Sequence, residues 1–356
     1  MTAVVENYEV LLKTLIQDAK EAKSPWTITP YWSTYHNRLL QTLSRDGVGT
    51  LQNNYHLLKG FALGGTPSPI PPAGKIKGKI FNVIPKLPII SKVFNEYNRI
   101  INALHISNIK EKIKLGELML DSIAECYPKI TIPGEIHVGD ARDAFEWRGQ
   151  TFTTSFIPHL ARVADFYQVV DPQQVTSLLE VGPGLGLSTL AHLTLNPHLC
   201  TVINVDIPST LYISTQFLRA VNACDIVDYC LFKENGFQFN HSSKKRPLCY
   251  QIPPWCMERI DIPIDWFHNA FSFQEMEPHV VKAYAQQVSM VVKKGAWLMS
   301  NPDGHVADAG GQKERVTFEI IEDAFNTHFK RDVYDMANFS ASDHINNKNS
   351  RLYSYI

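Results

Sequence analysis

The stretch SLLEVGPGLGLSTL, Ser177 to Leu190, decides the fold. A short apolar run leads into a glycine turn, and the residues after the turn take up a helical pattern. The sequence therefore predicts a buried strand, a tight turn and a helix in succession. Gly182, Gly184 and Gly186 alternate behind Glu180, giving E-x-G-x-G-x-G. The dinucleotide fingerprint is G-x-G-x-x-G, and here Leu187 stands where its third glycine would allow close helix packing.

An alternating glycine turn lets a strand end approach a flat adenosine and an amino-acid tail without a phosphate cradle, which fits S-adenosylmethionine better than NAD. Glu180 is a candidate for the cationic amino-acid end of that ligand. Farther on, the next strand ends in INVDIP, where Asp206 is placed to accept hydrogen bonds from two ribose hydroxyls and Ile207 follows it. The plainer readings are a tight turn for the glycines and a helix-capping carboxylate for Asp206.

From Asp171 onward, short apolar strands alternate with helices: SLLEV, TVINVD, DWFHNAF and AWLMS. This is the texture of a parallel sheet covered on both faces, a doubly wound α/β Rossmann-like domain over residues 171–356. Its ligand is expected beyond the carboxyl ends of the strands. Residues 1–170 read as a mostly helical region, a lid, a substrate wall or a dimer contact. In NYEVLLKTLIQDAKEAK, Val10, Leu11, Leu15 and Ile16 recur at helical spacing. The proline- and glycine-rich GGTPSPIPPAGKIKGKIFNVIPKLPII reads as an ordered loop, and GEIHVGDARDAFEWRGQTF as a short hairpin or a substrate loop.

Composition narrows the function classes. The 356 residues are 44% hydrophobic with a net charge of -1, so no global field gathers nucleic acid or an anionic membrane. Glu6 and Glu9 interrupt any secretory signal, and no apolar run reaches the ~18 residues of a membrane helix. A soluble, cytoplasmic protein is expected. The six cysteines form no CxxC pair and read as reduced core residues, with no structural zinc.

The stretches LLEVGPGLGLSTL, VINVDIPSTLYISTQFL, IPPWCMERI and DWFHNAFSFQEMEPHVVKAYAQQV resemble the sugar O-methyltransferase family, class I S-adenosylmethionine-dependent methyltransferases. The resemblance covers roughly residues 150–305, and its most discriminating block is SFQEM after a DhhhN strand. Two departures bear on the acceptor: GPGLGL lacks the aromatic residue that the family often carries in this loop, and His268 precedes the asparagine where an apolar residue is usual. The resemblance implies methyl transfer to a hydroxyl of a sugar or hydroxylated natural product, a small-molecule acceptor. An oxidoreductase or a non-catalytic binding protein are the alternatives.

Methyl transfer needs the acceptor oxygen aligned and its proton removed. After the fourth strand, Asn269 and Ser272 are cofactor-site candidates, and Glu275 is the first candidate base; its bland alternative is a helix-start carboxylate. His268 is the further candidate on the strand, set against a core histidine. In SNPDGHVADAGG, His305 is a second base candidate. Asp303 and Asp308 as magnesium ligands are the less favoured reading against plain turn residues. Trp255 is a candidate for the adenine face, or for core packing.

Overall fold

A computed structural model describes residues 8–54, 57, 109–240, 246–305, 314–332 and 350–355. The loop read at 64–90 and Asp308 lie outside them. In chain order come helices α1 (Glu9–Asp18), α2 (Pro30–Asp46) and α3 (109–126), then a hairpin of β1 (Ala144–Trp147) and β2 (Gln150–Thr153). Next are α4 (Ile157–Val169), β3 (Ser177–Val181), α5 (Leu187–Leu195), β4 (Thr201–Val205) and α6 (Pro208–Val221). They are followed by β5 (Asp225–Val227), α7 (Tyr229–Glu234), β6 (Leu248–Ile252), β7 (Ile264–Ala270) and α8 (Pro278–Val291). The described chain ends with β8 (Val292–Met299), α9 (Phe318–Asn326), β9 (Phe329–Asp332) and β10 (Ser350–Tyr355).

The main sheet has the order β5-β6-β4-β3-β7-β8-β10-β9. Strands β5 to β8 run parallel, and β10 pairs antiparallel with both β8 and β9. Every residue of β3 and β4 is buried, which is what a central strand covered on both faces requires. The pleat then assigns the helices to faces. On one face, Trp266 meets Phe166 of α4, Glu180 meets Thr189 of α5, and Gln251 meets Ser214 of α6. On the other, Tyr250 meets Phe232 of α7, Phe267 stacks on Phe325 of α9, and Phe273 packs on Tyr284 of α8.

The two N-terminal helices dock on this domain through widely separated residues. His36 Nδ1 lies 2.8 Å from Ser209 Oγ in a buried pair at the start of α6. Trp26 donates to Glu258 at 2.8 Å, and Asp18 accepts from Tyr229 and Lys233, each at 2.7 Å. Helix α4 precedes residue 171, yet it packs against the sheet as part of its helical layer. The segment read as a hairpin or a substrate loop holds the β1–β2 hairpin, where Trp147 donates to Asp121. Of the cysteines expected in the core, Cys224, Cys249 and Cys256 are buried, whereas Cys126 is exposed.

Order reverses at β3, whose neighbours β4 and β7 are reached by opposite excursions of the chain, so a crevice is expected at its carboxyl end. Gly182 sits there with φ 74°. A Cβ at that position would lie 2.3 Å from both Cβ and Oγ of Ser272, closer than atoms can pack. Overlap of this kind costs about 1–3 kcal/mol, and a positive φ adds strain in any residue but glycine. Gly182→Ala is therefore expected to lower the chemical denaturation midpoint clearly, while Gly149→Ala, in a turn with open space around it, keeps the backbone strain without the overlap and loses less. Equal losses in the two variants would mean that the contact with Ser272 is not what fixes glycine at 182.

Candidate functional site

The turn after β3 is held by backbone hydrogen bonds and by one carboxylate. Gly182 N–H donates to Val205 at 2.8 Å and Gly186 N–H to Pro183 at 2.9 Å; Gly186, at φ 90°, caps α5. Gly184, at φ 59°, aims its N–H at Asp206 Oδ2, 3.2 Å away. The other oxygen, Oδ1, accepts from Ile207 N–H at 2.8 Å and from Thr210 Oγ1 at 2.7 Å. Asp206 thus ties the glycine turn to the first turn of α6. Burial pushes its carboxyl up to about 7 and the Glu180 carboxylate adds to the rise, against the lowering effect of these three hydrogen bonds.

Glu180 is 1% exposed and faces the layer between sheet and helices. Thr189 Oγ1 donates to it at 2.9 Å, and His268 Nδ1 lies 3.4 Å from its other oxygen. His268 is also buried, lies flat on Trp297 with ring centroids 4.3 Å apart, and has Ser188 Oγ at 3.2 Å from Nδ1. Its Nε2 has no hydrogen-bond partner among the described residues. A small cavity there is lined by His159, Arg162, Ser188, His268, Ala270 and Met299. Burial holds the Arg162 guanidinium down at about 10 despite the pull of Glu180.

Asn269 and Ser272 fasten the switch point. Asn269 Nδ2 donates to the Val181 carbonyl at 2.8 Å and to Ser272 Oγ at 2.5 Å, and Ser272 Oγ donates to the same carbonyl at 3.1 Å. Beyond them, Gln274 Oε1 accepts from Asn301 N–H at 2.9 Å, which ties the loop after β8 to the single helical turn Phe273–Glu275. That link brings Glu275 and His305 to one end of the sheet.

Two aromatic residues of α2 complete the group. Tyr31 and Trp32 lie near Glu275, and Tyr31 OH lies 3.0 Å from His305 Nε2. Burial raises Glu275 to about 8, the Asp206 carboxylate adds to the rise, and the polar groups of Tyr31 and Trp32 oppose it. Burial pushes His305 below its ordinary range. The usual order of a carboxylate and an imidazole is reversed here: the carboxyl holds its proton at neutral pH and the imidazole is neutral.

Asp303 is exposed beside His305, and among the described residues no three His, Cys, Asp or Glu side chains are grouped to hold a metal ion. Trp255 donates to Tyr229 OH at 3.2 Å and meets that ring edge-on. No described helix is long and apolar enough to cross a membrane. Sequence reasoning did not single out Tyr31 or Trp32. The available signal was PYWSTY, three aromatic residues within the first turns of a helix opened by Pro30.

No family model and no curated protein matches the sequence. Solved structures similar to the chain include the pyocyanin biosynthetic protein PhzM, at 11% identity over 54% of this chain and 53% of that one, TM-score 0.36. The mitomycin 7-O-methyltransferase MmcR is 12% identical over 56% and 53%, TM-score 0.37. Human N-acetylserotonin methyltransferase in complex with SAM is 10% identical over 57% and 55%, TM-score 0.35. The matched region spans about half the length of each of these proteins. The likeness is one of fold alone, and the chain's own fold is a Rossmann-like, mostly parallel α/β sheet preceded by a helical region.

The raised carboxyl groups set a pH dependence of stability. A folded-state pKa of about 8 for Glu275 lies above the unfolded value of about 4.3, so the stability it contributes is full below about 4.3 and is lost as pH rises through about 8. Asp206 acts in the same sense up to about 7. Glu275→Gln is expected to gain melting temperature relative to the native chain at pH 8.5 and to gain less at pH 5.5. An equal difference at both pH values would show that Glu275 keeps an ordinary pKa.

Proposed function

We propose that the chain is an S-adenosylmethionine-dependent O-methyltransferase acting on a hydroxyl of a sugar or hydroxylated natural product. The observation that carries this reading is the convergence of the glycine turn, Asp206 and Glu275 at the carboxyl end of the sheet, beside the switch point. The site fits the cofactor. The turn closes against Ser272 with no side chain at position 182 to obstruct its approach, and Asp206 Oδ2 accepts one described bond, leaving an acceptor position for a ribose hydroxyl. Leu187, which stands where the dinucleotide fingerprint keeps glycine, is a buried core residue, and this disfavours an oxidoreductase.

When bound, S-adenosylmethionine supplies an electrophilic methyl group. The protein's part is to hold and deprotonate the acceptor. Gly182, Gly184, Gly186, Asp206 and Ile207 form the cofactor wall, and Asn269 and Ser272 support it by fixing the end of β3. Glu180 balances Arg162 and orders His268 beneath the turn, so His268 ranks below Glu275 and His305 for proton transfer. Glu275 is the base, and in its ionised form it takes the acceptor's proton. No metal is assigned: Asp303 is exposed and the proton chemistry needs none.

S-adenosylhomocysteine is expected to bind with a Kd in the micromolar range, about -8 kcal/mol at 1 μM. Asp206→Ala should weaken that binding at least several-fold by calorimetry, and unchanged affinity would remove Asp206 from the site. With methyl transfer measured on a panel of monosaccharides and simple phenols, kcat/KM should rise with pH toward about 8, where Glu275 ionises in the free enzyme. Glu275→Gln should lower turnover by ~10²–10⁴ with S-adenosylhomocysteine affinity retained, and activity should survive chelation of divalent ions. A loss restored by magnesium would overturn the metal-free reading.

A further inference from the structure

The small cavity beside His268 lies between α4, the first turn of α5 and the carboxyl ends of β7 and β8. Its polar walls are His159, Arg162, Ser188 and His268, and none of its lining residues is acidic. The cavity adjoins the switch point. Ser188 follows Gly186 into α5, and Ala270 stands just before Ser272, the residue that fills the space a Cβ at Gly182 would need.

Two groups in this cavity lack the partner that their chemistry calls for. His268 is 2% exposed, and its Nδ1 has Ser188 Oγ at 3.2 Å and a Glu180 oxygen at 3.4 Å, while Nε2 has no hydrogen-bond partner among the described residues. A buried polar atom left unpaired costs stability, and a ligand that pairs it recovers that cost. Arg162 donates from Nε to the Pro158 carbonyl at 2.9 Å, and its guanidinium carbon lies 5.8 Å from the centre of the Phe271 ring. Neither partner is charged, and among the described residues the outer nitrogens of the guanidinium make no hydrogen bond. Phe271 reaches Arg162 from the end of β7 with a φ of 65°, a backbone conformation unfavourable for an aromatic residue, and its N–H is held by the Met299 carbonyl at 2.8 Å. Glu180 is already engaged, by Thr189 at one oxygen and His268 at the other.

We propose that this cavity is the subsite for the α-carboxylate of S-adenosylmethionine, with Arg162 as its cation and His268 Nε2 as a second donor. The inference rests on the O-methyltransferase reading. Walls that carry a guanidinium and no acid select an anion, and the planar fork of Arg162 matches the two oxygens of a carboxylate. With the Ser188 hydroxyl donating to Nδ1, the hydrogen of the His268 ring sits on Nε2, ready to donate to the same group. The cofactor carries its carboxylate at the end opposite the adenosine. Strands β4 and β7 flank β3, so a ligand whose ribose meets Asp206 at the end of β4 reaches this cavity by crossing the glycine turn. His268 thereby acts in binding rather than in proton transfer.

The test is calorimetry on the full chain with S-adenosylhomocysteine and with the analogue in which a hydrogen replaces its carboxylate. The native chain is expected to bind the analogue about 10- to 100-fold more weakly, the range of a charge-assisted contact. Arg162→Met should weaken S-adenosylhomocysteine by a similar factor and leave the analogue within about twofold of its affinity for the native chain, because both changes remove one contact. Arg162→Lys, which keeps the charge without the fork, should recover part of the loss. Equal affinity of the native chain for the two ligands overturns the subsite without any variant. So does an Arg162→Met chain of native melting temperature that weakens both ligands alike or neither, and if that variant does not fold, the same comparison in Arg162→Lys decides. Failure of the native chain to bind either ligand overturns the cofactor reading itself, and the subsite with it.

Discussion

At the end of β3 the chain turns through a backbone conformation that glycine tolerates, and the space where a Cβ would sit is filled by Ser272 from the neighbouring strand end. Asn269 and Ser272 then share the Val181 carbonyl, so the crevice between the two halves of the sheet is closed at its base by hydrogen bonds rather than by apolar packing. Everything at the site follows from this closure. It fixes the direction of the glycine turn, delivers the Gly184 N–H to Asp206, and sets the start of the short turn that carries Glu275. A side chain larger than hydrogen at 182 would push these strand ends apart where the glycine turn meets Ser272.

The electrostatics follow from crowding like charges in a half-dry place. The Glu180 carboxylate raises the cost of ionising Asp206, Asp206 raises that of Glu275, and the hydrogen bonds around Asp206 only partly offset the rise. Glu180 is dealt with separately, through Thr189 on one side and the His268 ring on the other, with Arg162 acting from farther off. The outer two carboxyls keep their protons near neutrality, which leaves them able to respond to whatever charge enters the site.

Much of the sheet was legible because buried parallel strands read as continuous apolar runs. SLLEV, TVINV and the strand in DWFHNAF fall where the sequence placed them, and the hairpin at β1 and β2 was one of two readings of its segment. Strands β9 and β10 carried no such signal: FKRD and SRLYSY are polar at the antiparallel edge, where one side of a strand faces water. The positions of Glu275, His305 and Asp206 at one end of the sheet followed from strand direction alone. The company they keep did not. Tyr31 and Trp32 reach the site across 274 residues of sequence separation in the case of Tyr31 and His305, and no local periodicity reports a contact of that range. Whether His268 would face core or ligand was equally open, because strand parity gives the face and not the partners.

The docking of α1 and α2 bears on how the protein is made. Their described side-chain partners in the sheet domain, Ser209, Tyr229, Lys233, Glu258 and His305, all lie at least 173 residues downstream. During synthesis these helices leave the ribosome before the sheet and then wait while most of it is translated, with Leu11 and Leu15 still uncovered. Their closure onto the domain is among the longest-range events in the chain, so it comes late and slowly. A folded sheet on which these helices have not yet closed would hold the glycine turn and Asp206 but not the aromatic side chains of α2 beside them, so the end of the sheet takes its full form only with the last docking step.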